Sequence, residues 1–440
     1  MSVLTKTSHS QPPLVGGLPL LGNALALRGD LTAFLVDNYQ QHGSAFRIRV
    51  LNRDYVILGG LDANRLLSHA GNELFTGERF FGGFAQQFET DNFLPAMEGA
   101  SHRHLRKLLR PGYSKEAVAS NTVQLHTIVT QHVAQWAGQP QVRVVDAIQR
   151  LITDQLGIIL GGRSLGDYFP YVRDFLRIVV NVTMLGTAPR LMLRTRRYVT
   201  ARAKTREFLM QLITTHRQQH QGGDLIDLAL QGANLDGSAF TDDDLVVIGI
   251  GAYVAGMDTL ANTLSFLLYA LLKHPEAMRT VQAEADALFA NGTPALSALR
   301  AMPALHHAAI ETLRLYLIAP VTMRTTLKDF TFDGYSIRAG TDVMIANCIT
   351  HFLPEYYPNP KQFDLNRDFT SVPAGVFTPF TLGSHTCLGA GMAESLLMFT
   401  AAALLHSARL ELTPADYVAR IRSTPAPNPG QGFTIRVHPR

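Results

Sequence analysis

A mainly α-helical chain, one helix-rich domain with small β-sheets at its periphery, is the fold class the sequence predicts. Three observations carry it. Seven long segments repeat apolar residues at helical spacing, whereas only three short stretches have the alternation or turn chemistry of strands. No internal repeat and no low-complexity linker divides the 440 residues, which are 46% hydrophobic and 17% charged and can bury a large core. Length alone would permit two or three domains, so the missing linker decides for a single domain over 1–440, with a polar, flexible tail over 1–13.

Taken in order, 14–27 is apolar but interrupted by Gly16, Gly17, Pro19 and Gly22, and is too short to cross a bilayer. Residues 45–58 alternate apolar and polar about Asn52-Arg53 and predict a hairpin. Helices are predicted over 114–136, 147–160, 198–216, 241–272, 275–289, 303–317 and 388–406. Thr241 followed by Asp244 is a capping box with Asp in place of the usual Glu, and it opens the longest of these. That helix carries Asp258, Asn262 and Ser265 within its apolar run and stops at His274-Pro275, which fits a buried core helix rather than a membrane span. A second hairpin is expected about Asp333-Gly334 between Thr331 and Ala346, and a late strand over 433–437.

Charge and cysteine usage narrow the function classes. A net charge of +4, with no dense Lys/Arg tract and no interleaved aromatics, gives nucleic-acid binding little support. Arg103, Arg106, Lys107 and Arg110 lie within two turns of one expected helix, either as a solvated face or as a docking surface for an acidic partner. Two cysteines cannot build a disulfide scaffold and fit a reducing cytoplasm; 1–13 also lacks the charged-then-apolar pattern of a signal peptide. Cys348 reads as core.

Cys387 is different. It stands in Phe380-Thr-Leu-Gly383-Ser-His385-Thr-Cys387-Leu-Gly389-Ala-Gly391-Met-Ala393, a thiol boxed in by glycines ahead of an apolar helical run. Glycines let the chain bend sharply and aim backbone N–H groups at one sulfur, which would lower its pKa, and the positive end of the following helix points back at it. This is the setting of a metal-bound thiolate.

Phe-x-x-Gly-x-His-x-Cys-x-Gly-x-x-x-Ala resembles the haem-binding loop of the cytochromes P450. The resemblance implies that fold, haem b as cofactor and Cys387 as the thiolate on its iron, with Gly389 in the loop, Phe380 near the sulfur and His385 beside a propionate. Ala255-Gly256-Met257-Asp258-Thr259 is similar to the family's oxygen-binding groove: Ala255 and Gly256 would border the haem, with the glycine making room for dioxygen, and Asp258 and Thr259 would relay protons. His102 and Arg106, four apart, resemble the family's propionate helix, and Arg324 a further propionate arginine. The tryptophan often found in that helix is absent, since the single Trp is Trp136. Glu311 and Arg314, three apart, resemble the Glu-x-x-Arg element, completed by Arg367 as structural support.

The matches run from about Pro12 to the C-terminus and imply a monooxygenase acting with dioxygen on an apolar substrate such as a terpenoid, steroid, fatty acid or polyketide-like molecule. Phe80, Phe81, Phe84 and Phe88, with Ala252 and Val321, are expected around the substrate, although such aromatics equally suit plain core. The chain carries no dinucleotide fingerprint, so NAD(P)H is expected to serve indirectly, through a ferredoxin or flavodoxin-type donor and its reductase. Two rivals stand: a peroxygenase, coupling or desaturating enzyme of the same family, and a haem protein that binds or senses a ligand without turnover.

Overall fold

A computed structural model describes residues 11–219, 223–424 and 426–440. The helices are α1 Ala24–Arg28, α2 Leu31–His42, α3 Leu61–Leu74, α4 Glu78–Ala85, α5 Gly99–Leu109, α6 Lys115–Ala119, α7 Thr122–Ala137 and α8 Val144–Gly161. They continue as α9 Phe169–Val179, α10 Arg196–Gln219, α11 Leu225–Gln231, α12 Asp242–Gly256, α13 Thr259–Lys273, α14 Pro275–Phe289, α15 Pro303–Leu315 and α16 Ala390–Ser407. The strands are β1 Ala45–Val50, β2 Arg53–Gly59, β3 Phe75–Thr76, β4 Val142–Arg143, β5 Thr322–Thr326, β6 Phe330–Phe332, β7 Tyr335–Ile337, β8 Asp342–Ala346, β9 Ala408–Thr413 and β10 Thr434–Pro439.

Two of the seven expected helices are broken, each where a polar side chain competes for the backbone. The segment expected over 114–136 parts into α6 and α7 at Ser120-Asn121, whose side chains donate to the carbonyls of Glu116 (3.1 Å) and Ala117 (2.8 Å). The 241–272 helix opens on the capping box: Thr241 Oγ1 accepts from the Asp244 N–H (3.1 Å) while the Asp244 carboxylate accepts from the Thr241 N–H (2.8 Å). It then parts into α12 and α13 at Met257-Asp258, where the Thr259 hydroxyl donates to the Ala255 carbonyl one turn back. Gly256, a weak helix former, lies inside that turn.

The core is a bundle in which α8 packs on α7, α12 and α13, and α16 on α7, α14 and α15. All but four residues of α8 are buried, and Leu396 to Leu405 of α16 are buried without interruption. The span Asp242–Lys273 is long and apolar enough to cross a membrane, yet 67% of its apolar window is buried against the rest of the chain.

The main sheet has the order β1-β2-β8-β5-β3, with β2 and β8 parallel and its other pairs antiparallel. The first hairpin turns at Leu51-Asn52, one residue before the expected pair. Around Asp333 (φ 48°) and Gly334 (φ 79°) only β6 and β7 pair, both turn residues having the positive φ of a type I′ turn. β8, buried along its whole length, leaves that hairpin to join β2 and β5. The late strand is β10, between β4 and β9. Of the tail expected to be flexible, 1–10 lie outside the described residues, while the Pro12 and Pro13 carbonyls accept from the Arg47 side chain (2.8 Å) and backbone (2.7 Å).

Candidate active site

A cavity of about 520 Å³ is bounded by the loop ahead of α16, by the α12–α13 junction, and by α4, α5 and β5. The loop enters through a tight 3-10 turn at Gly383–His385. Gly383 takes φ +77°, and a Cβ there would meet the Leu67 carbonyl of α3 at 2.8 Å, so only glycine fits. The Cys387 N–H then donates to the Phe380 carbonyl (2.9 Å), and α16 starts at Ala390 with Gly389 as its cap. Cys387 is accessible from the cavity.

Burial pushes the Cys387 thiol above its ordinary value, opposed by a hydrogen bond from the Gly389 N–H and by the Arg106 charge. This corrects the expectation of a lowered pKa: the effect of one directed N–H is smaller than that of desolvation. A sulfur so placed would need a bound metal cation, and not the loop alone, to be held as thiolate. Phe380 contributes its carbonyl and does not line the cavity.

Arg106, Arg324, His102 and His385 all line the cavity. The Arg106 guanidinium donates to the Thr386 carbonyl, so this member of the α5 basic cluster points inward while Arg103, Lys107 and Arg110 stay exposed. The His102 and His385 rings stack with centroids 4.3 Å apart. Burial, then the neighbouring His385 and Arg106, push His102 down to about 4. Sequence reasoning missed Glu98, whose carboxylate accepts from the Gly77 N–H (2.9 Å) and pairs with His385 Nε2 (3.0 Å). Its position four residues before His102 was the available signal. It also missed Tyr113, which lines the cavity and would lie 3.6 Å from a Cβ on Gly389.

Across the cavity, Ala252, Ala255, Gly256 and Thr259 line the wall. Leu156 lines the cavity beside Gly256, and a Cβ on Gly256 would meet Leu156 Cδ1 at 2.9 Å, so the missing side chain lets α12 pack on α8 there. Asp258 does not line the cavity. Its carboxylate accepts from Gln149 Nε2 of α8, whose Oε1 accepts from Arg177 of α9 (3.4 Å). Burial raises the Asp258 pKa, and Arg177 and Gln149 act against it.

Of the aromatic cluster, Phe80 and Phe81 line the cavity and Phe84 and Phe88 do not. The first turn of α4 borders the cavity, and the chain then passes behind Phe93, which stacks on Phe84 at 4.5 Å; Phe88 packs edge-on to Phe175 at 5.6 Å. These two are core, while Phe93 takes the lining position. Val321 lines the cavity as well.

Beneath the site, Glu311, Arg314 and Arg367 meet out of water. Arg314 forks onto Glu311 (2.7 and 2.8 Å), Arg367 Nε reaches Glu311 Oε1 (2.8 Å), and Arg314 also donates to the carbonyls of His351 and Pro360 (2.7 Å each). His351 accepts the Thr378 N–H on Nε2 (2.9 Å), so its Nδ1–H faces the Arg314 carbonyl (3.2 Å). Burial pushes His351 down to about 3. A depressed folded pKa gives stability that is whole above the unfolded value of about 6.5 and is lost as pH falls. Urea midpoints are therefore expected to drop between about pH 6.5 and 4, and His351→Gln is expected to flatten that slope.

The donor set fits a flat, apolar metal macrocycle with two carboxylates: one desolvated thiol, apolar walls, and two arginines with two imidazoles beside it. Comparison with known proteins agrees. The sequence model described as Cytochrome P450 matches residues 12–433. The putative cytochrome P450 139 of Mycobacterium tuberculosis is 26% identical over 426 residues, covering 93% of this chain and 98% of its own. The cyclooctat-9-en-7-ol 5-monooxygenase of Streptomyces melanosporofaciens is 26% identical over 414 residues, covering 91% and 89%. Abscisic acid 8'-hydroxylase 4 of Arabidopsis thaliana is 25% identical over 448 residues, covering 97% and 92%. In fold, the chain superposes on a retinoic acid-bound cyanobacterial CYP120A1 with a TM-score of 0.85 at 24% identity, over 98% of this chain and 100% of the other. By its matching sequence model, its relatives and its fold, the chain belongs to the cytochrome P450 family of haem monooxygenases.

Proposed function

We propose that Cys387 is the thiolate ligand of haem b and that the chain hydroxylates an apolar, terpenoid-like substrate with electrons from a separate ferredoxin or flavodoxin-type donor. The observation that carries this is one cavity with Cys387 on one wall, Thr259 on the other, and Phe80, Phe81, Phe93, Ala252 and Val321 between them. Haem bound there supplies the activation of dioxygen. His102, Arg106, Arg324 and His385 would hold its propionates, and the apolar side chains would bind substrate and keep water out.

The chain's own part in catalysis is to hold a proton donor beside the cavity. Gln149, itself bonded by Arg177, fixes the Asp258 carboxyl, whose burial lets it hold a proton to higher pH than an ordinary aspartate. Thr259 follows directly in sequence and lines the cavity, its hydroxyl tied to the Ala255 carbonyl. Cyclooctat-9-en-7-ol and abscisic acid, named for two relatives, support an apolar substrate of the same general kind.

The test is a spectral screen of apolar compounds for a low-to-high spin shift, followed by NADPH-driven turnover with a surrogate ferredoxin and reductase. Oxygen consumption with a product heavier by one oxygen atom is expected. Oxygen consumption without that mass gain, for every compound giving the shift, would reject hydroxylation. In the same assay Thr259→Ala is expected to lower product formation on the order of a hundredfold while peroxide accumulates. An unchanged product yield per electron would remove Thr259 from the relay.

Electron entry is assigned to the exposed side of α5, where Arg103, Lys107 and Arg110 stand clear of the cavity. Reduction by an acidic ferredoxin is expected to slow as ionic strength rises from about 0.01 to 0.15 M, because the Debye length shrinks from about 30 to 8 Å. A reduction rate indifferent to salt would rule out this docking surface.

A further inference from the structure

Asn92 is the single carboxamide side chain that borders the cavity among the described residues, and Phe93 and Leu94, which also line it, follow directly. The segment crosses the first half of α12: Asn92 Nδ2 donates to Asp244 Oδ1 (2.9 Å), and a Cβ on Gly251 would meet Phe93 Cε2 at 4.0 Å. Hydroxyls bordering the cavity elsewhere spend their protons on the protein. Thr259 donates to the Ala255 carbonyl, Thr322 to Asn347 Oδ1 (3.0 Å) and Ser423 to the Gly29 carbonyl (2.7 Å).

Hydrogen-bond direction fixes the Asn92 amide. The buried Asp244 carboxylate also accepts from the Thr90 hydroxyl and from the Thr241 N–H and hydroxyl (2.8 Å each). Burial opposes its charge, and these bonds hold its pKa below the usual carboxylate value, so it acts as acceptor only. The second Asn92 proton goes to Asn234 Oδ1 (2.9 Å), whose own amide nitrogen donates to Ser238 Oγ (3.1 Å), and Ser238 donates on to Asp236 (2.7 Å). Turning the Asn92 amide over would set its oxygen against the Asp244 carboxylate and the Asn234 carbonyl, acceptor against acceptor. Asn234 and Asp244 border a second, polar pocket and not the cavity. Both amide protons are thus spent away from the cavity, and Oδ1, which has no donor among the described residues, is what the side chain has left to offer there.

We infer, resting on the apolar-substrate reading above, that Asn92 Oδ1 anchors the substrate by accepting a hydrogen bond from its hydroxyl group, so that the chain takes an apolar alcohol. An ionised carboxylic acid has no proton to give and would bring its charge towards Asp244. A hydrocarbon or an ether would leave Oδ1 desolvated without a partner, and a site built to bond a substrate hydroxyl rejects the analogue that lacks it. Asp244 stands eleven residues before Ala255 on α12, about 16 Å along the helix axis. The anchored hydroxyl and the oxidised carbon therefore lie at opposite ends of the substrate, and the product is a diol with its oxygens far apart. A reaction that installs the first hydroxyl on the skeleton must precede this one.

The experiment titrates the haem-loaded full chain with terpenoid and steroid skeletons, acyclic and cyclic, each as the free alcohol, its methyl ether and the parent hydrocarbon, together with terpenoid and fatty acids. The low-to-high spin shift reads binding without turnover. Alcohols are expected to bind about tenfold tighter than their own methyl ethers. Asn92→Leu is expected to weaken the alcohols to the level of the ethers and to leave ether affinity unchanged, whereas a purely structural role would weaken both alike. Asp244 keeps its bonds to Thr90 and Thr241 in that variant, and circular dichroism is the control for folding. Should it fail to fold, Asn234→Ala removes one of the two acceptors that orient the amide and is expected to lose part of the preference. Ethers, hydrocarbons or acids that bind as tightly as the alcohols, or a preference undiminished in the variant that folds, would overturn the inference alone. A spin shift from no compound of any kind would reject the apolar-substrate reading and this inference with it, so the two failures are distinguishable.

Discussion

Cys387→Ser protein, supplied with haem and reduced under carbon monoxide, is expected to lack the strongly red-shifted Soret band that the wild-type protein shows, and to form no product. A thiolate is a soft, strongly donating ligand, and a serine hydroxyl in the same desolvated loop would keep its proton, since its pKa is far higher and one N–H from Gly389 cannot offset burial. The substitution is small and leaves the Cys387 N–H bond to Phe380 in place, so the loop is expected to fold and the change to be electronic. Wild-type protein without that band would remove Cys387 as the ligand.

Glu311→Ala is expected to be the most destabilising single change away from the cavity. Its carboxylate is the shared counter-ion of Arg314 and Arg367; Glu311 and Arg314 have no accessible surface, and Arg367 is buried. Removing it leaves two guanidiniums facing one another out of water, a loss of about 3–5 kcal/mol for breaking a buried pair. That is a large part of the roughly 5–15 kcal/mol available to a folded domain. Urea unfolding is expected to show the midpoint falling with little change in slope, and haem retention falling with it, because Arg314 also holds the carbonyls of His351 and Pro360 in the segment leading to the cysteine loop. Glu311→Gln, which keeps the shape and loses the charge, is expected to fall between the two. A loss below about 1 kcal/mol in Glu311→Ala would mean that the network is not a structural support.

What could be read along the chain was whatever a short stretch decides by itself. The sharp bend at Gly383 ahead of Cys387, the capping box at Thr241 and Asp244, the Asp333-Gly334 turn and the three-residue step from Glu311 to Arg314 each depend on backbone conformation or helical period within one turn or loop, so residue types announce them. The resemblance built on those patterns carried the family, and with it the fold class.

Other features were decided by contacts between segments far apart. Phe80 and Phe84 stand one helical turn apart and look alike in sequence, yet the first meets the cavity and the second meets Phe93 and Phe175. Gly256 has Leu156 of α8 packed against it, and Asp258 turns from the cavity because Gln149 of α8 and Arg177 of α9 offer it a hydrogen bond and a charge. Arg106 leaves its basic neighbours to bond the Thr386 carbonyl 280 residues away, and Glu98 joins the site through His385. The physical reason is common to all of them: backbone shape is a local property, whereas burial, pairing and the direction a side chain takes are set by whichever distant atoms the fold packs beside it.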